Sequence, residues 1–318
     1  MIRRLSLTFA LVALATAPAA ASEPCDGTPA AAGRPSAGVK ALFAYDTSAA
    51  LAVQVVGSRT VGDAVVNDVT FVSRPDRPGE RLAAYIVEPA KPAPSMAGIL
   101  WVHWLGDPTT TNRTQYLEEA QALAARGVVS VLVDAMWATP RWYRDRVLED
   151  DYTSSISQVV SLRRSLDLLL AQAGVDPSRV ALVGHDYGAM YGAIVAGVDG
   201  RAKAHVLIAP TASLLDWAFF YDKKPVSMEA YRREHEALSL CDHLAAAANV
   251  AFLFQFAEKD EYVPLDRARV LFEAPAKARS KNMSVYGKAG HEMVEPRTIW
   301  LDRTVWLIRE LSLDPGKS

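Results

Sequence analysis

The chain has 318 residues, half of them hydrophobic, with 34 basic and 36 acidic side chains and a net charge of −2. That length suits one large α/β domain or two small ones, with enough apolar material for a sizeable core. Near-neutral charge without runs of one sign gives no footing for nucleic acid or an anionic membrane surface as a partner.

Arg3 and Arg4 precede an apolar run over 5–15, followed by Ala19-Ala-Ala21. A basic start, a short apolar stretch and an Ala-x-Ala end describe a secretory signal peptide spanning 1–21. The run falls short of a membrane span, which takes about 20 apolar residues. An uncleaved anchor is the alternative. The expectation is a periplasmic or secreted protein with no membrane attachment once the peptide is removed. Cys25 and Cys241 are the two cysteines. An oxidising compartment permits a disulfide between them. Two unpaired thiols are equally allowed, because the sequence does not supply the Cα separation a bridge requires. Cys241-x-His243 lacks a second pair at zinc-ligand spacing, so no metal is expected.

Residues 22–50, rich in Ala, Gly, Pro and Ser, read as a flexible lead-in to a domain over 51–318. Strands are predicted at 65–72 and 82–87, separated by the turn Arg74-Pro-Asp-Arg-Pro-Gly79. The run Ile99-Leu-Trp-Val-His-Trp104 suits a strand buried on both faces. A helix is predicted over 115–126, a strand over 128–133, and an irregular aromatic and Arg-rich connection over 134–150. Ile156, Val159, Val160, Leu166, Leu169 and Leu170 share one face of a helix over 153–173, with Gly174 as its C-cap. Further strands are predicted at 204–209, 250–256 and 283–286, with helices from 265 and over 297–311. Strands alternating with helices imply a mainly parallel sheet with helices on both faces. The stretch 211–248 is too long for an ordinary connection and is expected to form a short lid.

The most informative stretch is Arg179-Val-Ala-Leu-Val-Gly-His-Asp-Tyr-Gly-Ala-Met-Tyr-Gly-Ala-Ile194. An apolar strand runs into a tight turn at Gly184–Gly188 and then a helix opening on small residues. This is the layout of a nucleophile elbow, with Asp186 where the reactive side chain sits. Gly184 and Gly188 are expected to let strand and helix approach closely. Asp260, in Glu258-Lys-Asp-Glu-Tyr-Val-Pro264, follows a later strand; His291, in Gly290-His-Glu-Met, follows the last. Nucleophile, acid and His in that order match the α/β-hydrolase arrangement, and all three would gather beyond the carboxyl ends of the strands. Glu258 and Glu261 rival Asp260 for the acid, as does Asp134. No Gly-x-Gly-x-x-Gly, phosphate loop or metal cluster is present, so no cofactor is expected.

Over residues 65–312 the chain resembles the α/β-hydrolase superfamily. Asp176-Pro-Ser-Arg-Val-Ala-Leu-Val-Gly-His-Asp-Tyr-Gly-Ala-Met and Glu258-Lys-Asp-Glu-Tyr-Val-Pro are most similar to the dienelactone-hydrolase and prolyl-oligopeptidase branch. Those relatives carry Cys or Ser at the elbow. Gly-His-Asp-aromatic-Gly is instead similar to epoxide hydrolases and some dehalogenases. The resemblance implies an α/β-hydrolase fold, with Asp186 as nucleophile or base and His291 activating water, oriented by Asp260. It further implies an oxyanion hole from the Tyr187 N–H and a second donor at Trp104 or Leu105, with His103 holding that loop. Tyr187 departs from the Trp of haloalkane dehalogenases and the Arg of fluoroacetate dehalogenases. Trp217, Tyr221 and Tyr231 are candidate substrate contacts, by their place in the lid alone.

The chemistry of a carboxylate nucleophile separates the readings. Attack on an ester would give an anhydride, whereas attack on an epoxide or an sp3 carbon bearing a leaving group gives a stable alkyl ester. The expected function is hydrolysis of a small, mostly apolar molecule, by epoxide or carbon–halogen opening or by ester or lactone hydrolysis. A non-catalytic small-molecule-binding protein that keeps the pocket is the alternative.

Overall fold

The structure, a computed structural model, describes residues 37–217, 223–294 and 296–313. In chain order it runs α1 (Ala37–Leu42), β1 (Gln54–Val61), β2 (Ala64–Val72), β3 (Arg81–Pro89), β4 (Met96–Val102), α2 (Leu117–Ala124), β5 (Val128–Val133), α3 (Trp142–Asp145), α4 (Asp151–Leu170), β6 (Val175–His185), α5 (Tyr187–Val198), β7 (Ala204–Ile208), α6 (Met228–Glu234), α7 (Leu240–Ala246), β8 (Ala251–Ala257), α8 (Leu265–Glu273), β9 (Ser280–Tyr286) and α9 (Thr298–Glu310).

The strands form one nine-stranded sheet in the order β1-β2-β3-β5-β4-β6-β7-β8-β9. β1, β2 and β3 are antiparallel, and β3 meets β5 antiparallel. From β5 across to β9 every pairing is parallel. The central strands are uninterrupted apolar runs, such as Met-Ala-Gly-Ile-Leu-Trp-Val in β4 and Val-Val-Ser-Val-Leu-Val in β5, buried at every residue. Such strands need cover on both faces. Leu162 of α4, Ala193 of α5 and Leu271 of α8 pack on one face with Leu100 and Phe254. Leu123 of α2 and Leu307 of α9 pack on the other with Trp101 and Val183. Each fully buried side chain of this size contributes about 1.5–3 kcal/mol.

The fold is the α/β-hydrolase arrangement that the sequence implied. β1 was not anticipated: every residue of it is exposed, so no hydrophobic alternation marks it. Cys241, in α7, is disulfide-bonded; Cys25 and the expected signal peptide lie outside the described residues. Among the described residues no helix is long and apolar enough to cross a membrane.

One topological feature places the site. β4 has β5 on one side and β6 on the other, so successive connections leave in opposite directions. The crevice this opens beyond the carboxyl ends of β4 and β6 is where ligands bind in open α/β sheets.

Candidate active site

Asp186 stands between β6 and α5 with φ 53° and ψ −115°. A non-glycine residue held there costs on the order of 1–3 kcal/mol and persists only where its surroundings fix it. They do: its N–H donates to the Ile208 carbonyl at 2.8 Å, and its carbonyl accepts from the Met190 N–H at 2.9 Å. Glycines make the turn possible. A Cβ on Gly184 would lie 2.2 Å from the Gly188 carbonyl oxygen, and one on Gly188 would lie 2.4 Å from that of Val102.

The loop after β4 faces this turn. The Leu105 N–H donates to Asp186 Oδ2 at 3.0 Å. Its aim follows from the planarity of the Trp104–Leu105 peptide, in which C=O and N–H point in opposite directions. The Trp104 carbonyl accepts from His103 Nδ1 at 2.9 Å and from Trp137 Nε1 at 3.1 Å, so the N–H turns towards Asp186. His103 Nε2 accepts from the Ala135 N–H at 3.0 Å. Burial pushes the His103 pKa down to about 4, leaving a neutral ring suited to both bonds. Of the two expected loop donors, then, Leu105 reaches the carboxylate. Trp104 does not, because its N–H is taken by Gln115 Oε1 at 2.9 Å. The Trp104 ring instead stacks on His185, with centroids 5.4 Å apart. Tyr187 opens α5, and its ring is buried among Trp137, Trp142, Tyr143 and Tyr191.

His291 lies on the other side of Asp186. Its Nδ1 is 2.9 Å from Asp260 Oδ2 and 3.1 Å from Oδ1, and its Nε2 is 3.8 Å from Asp186 Oδ1. Asp260 is fixed in turn by the N–H groups of Tyr262 and Val263, at 2.9 and 3.0 Å from its Oδ1. Asp134 is excluded as the acid, since Arg113 holds it by an ion pair and a backbone N–H. Burial of His291 opposes its charge, but the flanking carboxylates of Asp186 and Asp260 outweigh it and lift its pKa to about 9. At neutral pH His291 is an imidazolium between two carboxylates.

Leu105 and His291 line a cleft of about 750 Å³ together with Trp104, Trp137, Trp142, Tyr143 and Tyr262 and the exposed Arg141 and Arg144. The lining comes mainly from the aromatic connection between β5 and α4 and from the loop after β4, and not from the described part of 211–248. The expected substrate contacts divide accordingly. Tyr231 does not reach this cleft: its hydroxyl donates to Asp151 Oδ2 at 2.7 Å, and its ring stacks on His235 with centroids 4.0 Å apart. A buried phenol requires a partner, and Asp151 supplies it. Trp217 closes a short 3-10 turn over Leu214–Trp217, its side chain outside the described residues, as is Tyr221. The missed wall residues had a signal, the density of Trp, Tyr and Arg at the carboxyl end of a predicted strand. Gln115 had none.

Sheet order, elbow and the Asp–His pair beyond the strand ends define an α/β-hydrolase. Residues 114–306, more than half the chain, match the model of the prolyl oligopeptidase family. The chain belongs to that family and is a hydrolase. Among solved structures it is similar to acetyl xylan esterase 1 from a Thermoanaerobacterium species, with a TM-score of 0.67 and 16% identity over 86% of this chain and 92% of that one. A dienelactone hydrolase structure from Klebsiella pneumoniae gives a TM-score of 0.56 and 14% identity, covering 78% of this chain and 98% of that one. An S-formylglutathione hydrolase from Agrobacterium tumefaciens gives 0.60 and 15% identity, covering 81% of this chain and 99% of that one. None of the curated proteins compared matches the chain.

Proposed function

We propose that this protein is an exported hydrolase that opens an epoxide or a carbon–halogen bond in a small, mostly apolar molecule through a covalent ester on Asp186. The reading rests on how the Asp186 carboxylate is divided. Oδ2 accepts the Leu105 N–H at 3.0 Å, while Oδ1 accepts no hydrogen bond among the described residues and lies 3.8 Å from His291 Nε2. In the first step Oδ1 attacks an sp3 carbon, a C–O ester bond forms, and the bond to halide or epoxide oxygen breaks with its electron pair. Esterification removes the negative charge of Asp186, and with it one of the two carboxylates holding the His291 proton. His291 then gives up that proton, to the alkoxide of an opened epoxide or, where halide has left, to solvent, and becomes the base for the second step. It takes a proton from water, and the hydroxide adds to the Asp186 carboxyl carbon. The oxyanion formed at Oδ2 is stabilised by the Leu105 N–H, a kind of contact worth about 100–1,000-fold in rate. On collapse the departing alkoxide takes the proton from His291 to leave as the alcohol, and the new Asp186 carboxyl returns its proton to His291, which restores the carboxylate.

The test is a single turnover in heavy-oxygen water with a panel of epoxides, haloalkanes, esters and lactones, followed by mass analysis of the Asp186 peptide. The expected result is label in the Asp186 carboxyl and none in the newly formed alcohol. Turnover without label in Asp186 would sink the covalent mechanism; if confined to esters or lactones it would indicate that Asp186 acts as a base. A second reading, a binding protein that keeps the pocket without chemistry, draws on the complete burial of Asp186 and its charge pairing with His291. Failure to turn over any member of the panel would favour it.

A further inference from the structure

Behind the Asp186–His291 pair runs a set of hydrogen bonds whose proton positions follow from the groups at its ends. The Trp104 N–H can only donate, so Gln115 Oε1, 2.9 Å away, is the acceptor and the Gln115 amide orientation is set. Gln115 Nε2 then carries the amide protons and donates to His185 Nδ1 at 3.0 Å. His185 Nδ1 is therefore bare, and the ring proton sits on Nε2. That nitrogen is 2.9 Å from the His291 carbonyl oxygen, which can only accept. The three bonds run in one direction, from one backbone group to another. Burial pushes the His185 pKa well below its ordinary value, which keeps the ring in the neutral form the chain requires.

The chain joins four places remote in sequence: the loop after β4, the residue two before α2, the last residue of β6 and the loop after β9. Asp186 follows His185 directly. The two peptide segments tied together are the one that aims the Leu105 N–H at Asp186 and the one that carries the His291 ring. Neither Gln115 nor His185 lines the aromatic cleft.

We propose that Gln115 and His185 are positioning residues, a one-way hydrogen-bond chain that clamps the oxyanion loop and the His291 loop at fixed separation around Asp186. The inference rests on the proposed roles of Leu105 and His291, but its geometric core is testable without any substrate. Nitrogen NMR of the imidazoles in the full chain should show His185 as the neutral Nε2–H tautomer. In Gln115→Glu the introduced carboxyl must either keep its own proton to donate to His185 Nδ1 or, once ionised, leave His185 to hold protons on both nitrogens, so the carboxyl should resist ionisation or the His185 titration should rise. In Gln115→Leu the Leu105 amide resonance should shift as its bond to Asp186 loosens. The alkylation of Asp186 by styrene oxide, followed by rapid quench and intact mass, should slow about 10- to 100-fold, the scale expected when a reacting group is misplaced by about an ångström.

An Nδ1–H tautomer in the wild type would overturn the proposal. So would a Gln115→Glu chain in which the introduced carboxyl is ionised while His185 stays neutral, or a Gln115→Leu chain whose Leu105 amide is unmoved. Should the wild type resist alkylation while the tautomer and the two variant signals come out as expected, the covalent mechanism fails and the clamp stands.

Discussion

Replacing Asp186 with Asn removes one of the two charges that hold His291 protonated, and keeps the side chain's size. Asp186 Oδ1 and His291 Nε2 are 3.8 Å apart. Unit charges at about 4 Å interact by about 4 kcal/mol at an effective dielectric of about 20, equivalent to about three pKa units. The wild-type His291 pKa of about 9 should therefore fall in Asp186→Asn, by up to about three units, into or below the ordinary histidine range. The assay is an NMR titration of the imidazole protons. His291 is readily told apart there, because burial lowers every other histidine: His103, His205 and His243 to about 4, and His185 and His235 below their ordinary value. A shift under about one unit would refute the reasoning, since Asp260 alone would then hold the proton and esterifying Asp186 could not free His291 as a base. Stability should follow the same linkage. A histidine raised from about 6.5 to about 9 contributes stability that is fully present below about pH 6.5 and lost as pH rises through about 9. The stability advantage of the wild type over Asp186→Asn, measured by denaturant unfolding, should therefore shrink on going from about pH 6 to about pH 10.

Asp186→Asn should also abolish turnover while retaining the fold, checked by circular dichroism beside the activity panel; unchanged activity would remove Asp186 from the mechanism. His291→Ala should stop turnover at the second step and accumulate an alkyl adduct on Asp186, visible as added intact mass after substrate addition. Gly188→Val should unfold the protein or cost more than about 3 kcal/mol, because its Cβ would sit 2.4 Å from the Val102 carbonyl oxygen; normal stability by thermal melting would contradict the packed elbow. Acid should destabilise the fold below about pH 6.5. His103, His205 and His243 are buried with pKa values of about 4, so the unfolded chain takes up protons that the folded one refuses. Each such histidine forfeits up to about 3 kcal/mol as pH falls from about 6.5 to about 4. A melting temperature flat across that window would count against their burial.

The sequence by itself determined the architecture and singled out Asp186, Asp260 and His291, three residues that the fold brings side by side. Apolar runs long enough for a buried strand, helical faces of period 3.6 and the Gly184–Gly188 turn are local signals, and local sterics and the hydrophobic effect act on them whatever lies elsewhere in the chain. Asp260 and His291 were legible for a related reason: each directly follows a strand, and strand ends in a parallel sheet converge. Tertiary structure decided what depends on neighbours distant in sequence. It chose Leu105 over Trp104 as the loop donor, because Gln115 occupies the Trp104 N–H and Trp137 and His103 turn the carbonyl away. Asp134 went to Arg113, and Tyr231 was drawn to Asp151 and away from the cleft, because each buried polar group takes the nearest partner that satisfies it. β1 escaped notice because a strand exposed along its whole length carries no hydrophobic period. The His291 charge state was equally out of reach, since it depends on two carboxylates that only folding brings to either side of one ring.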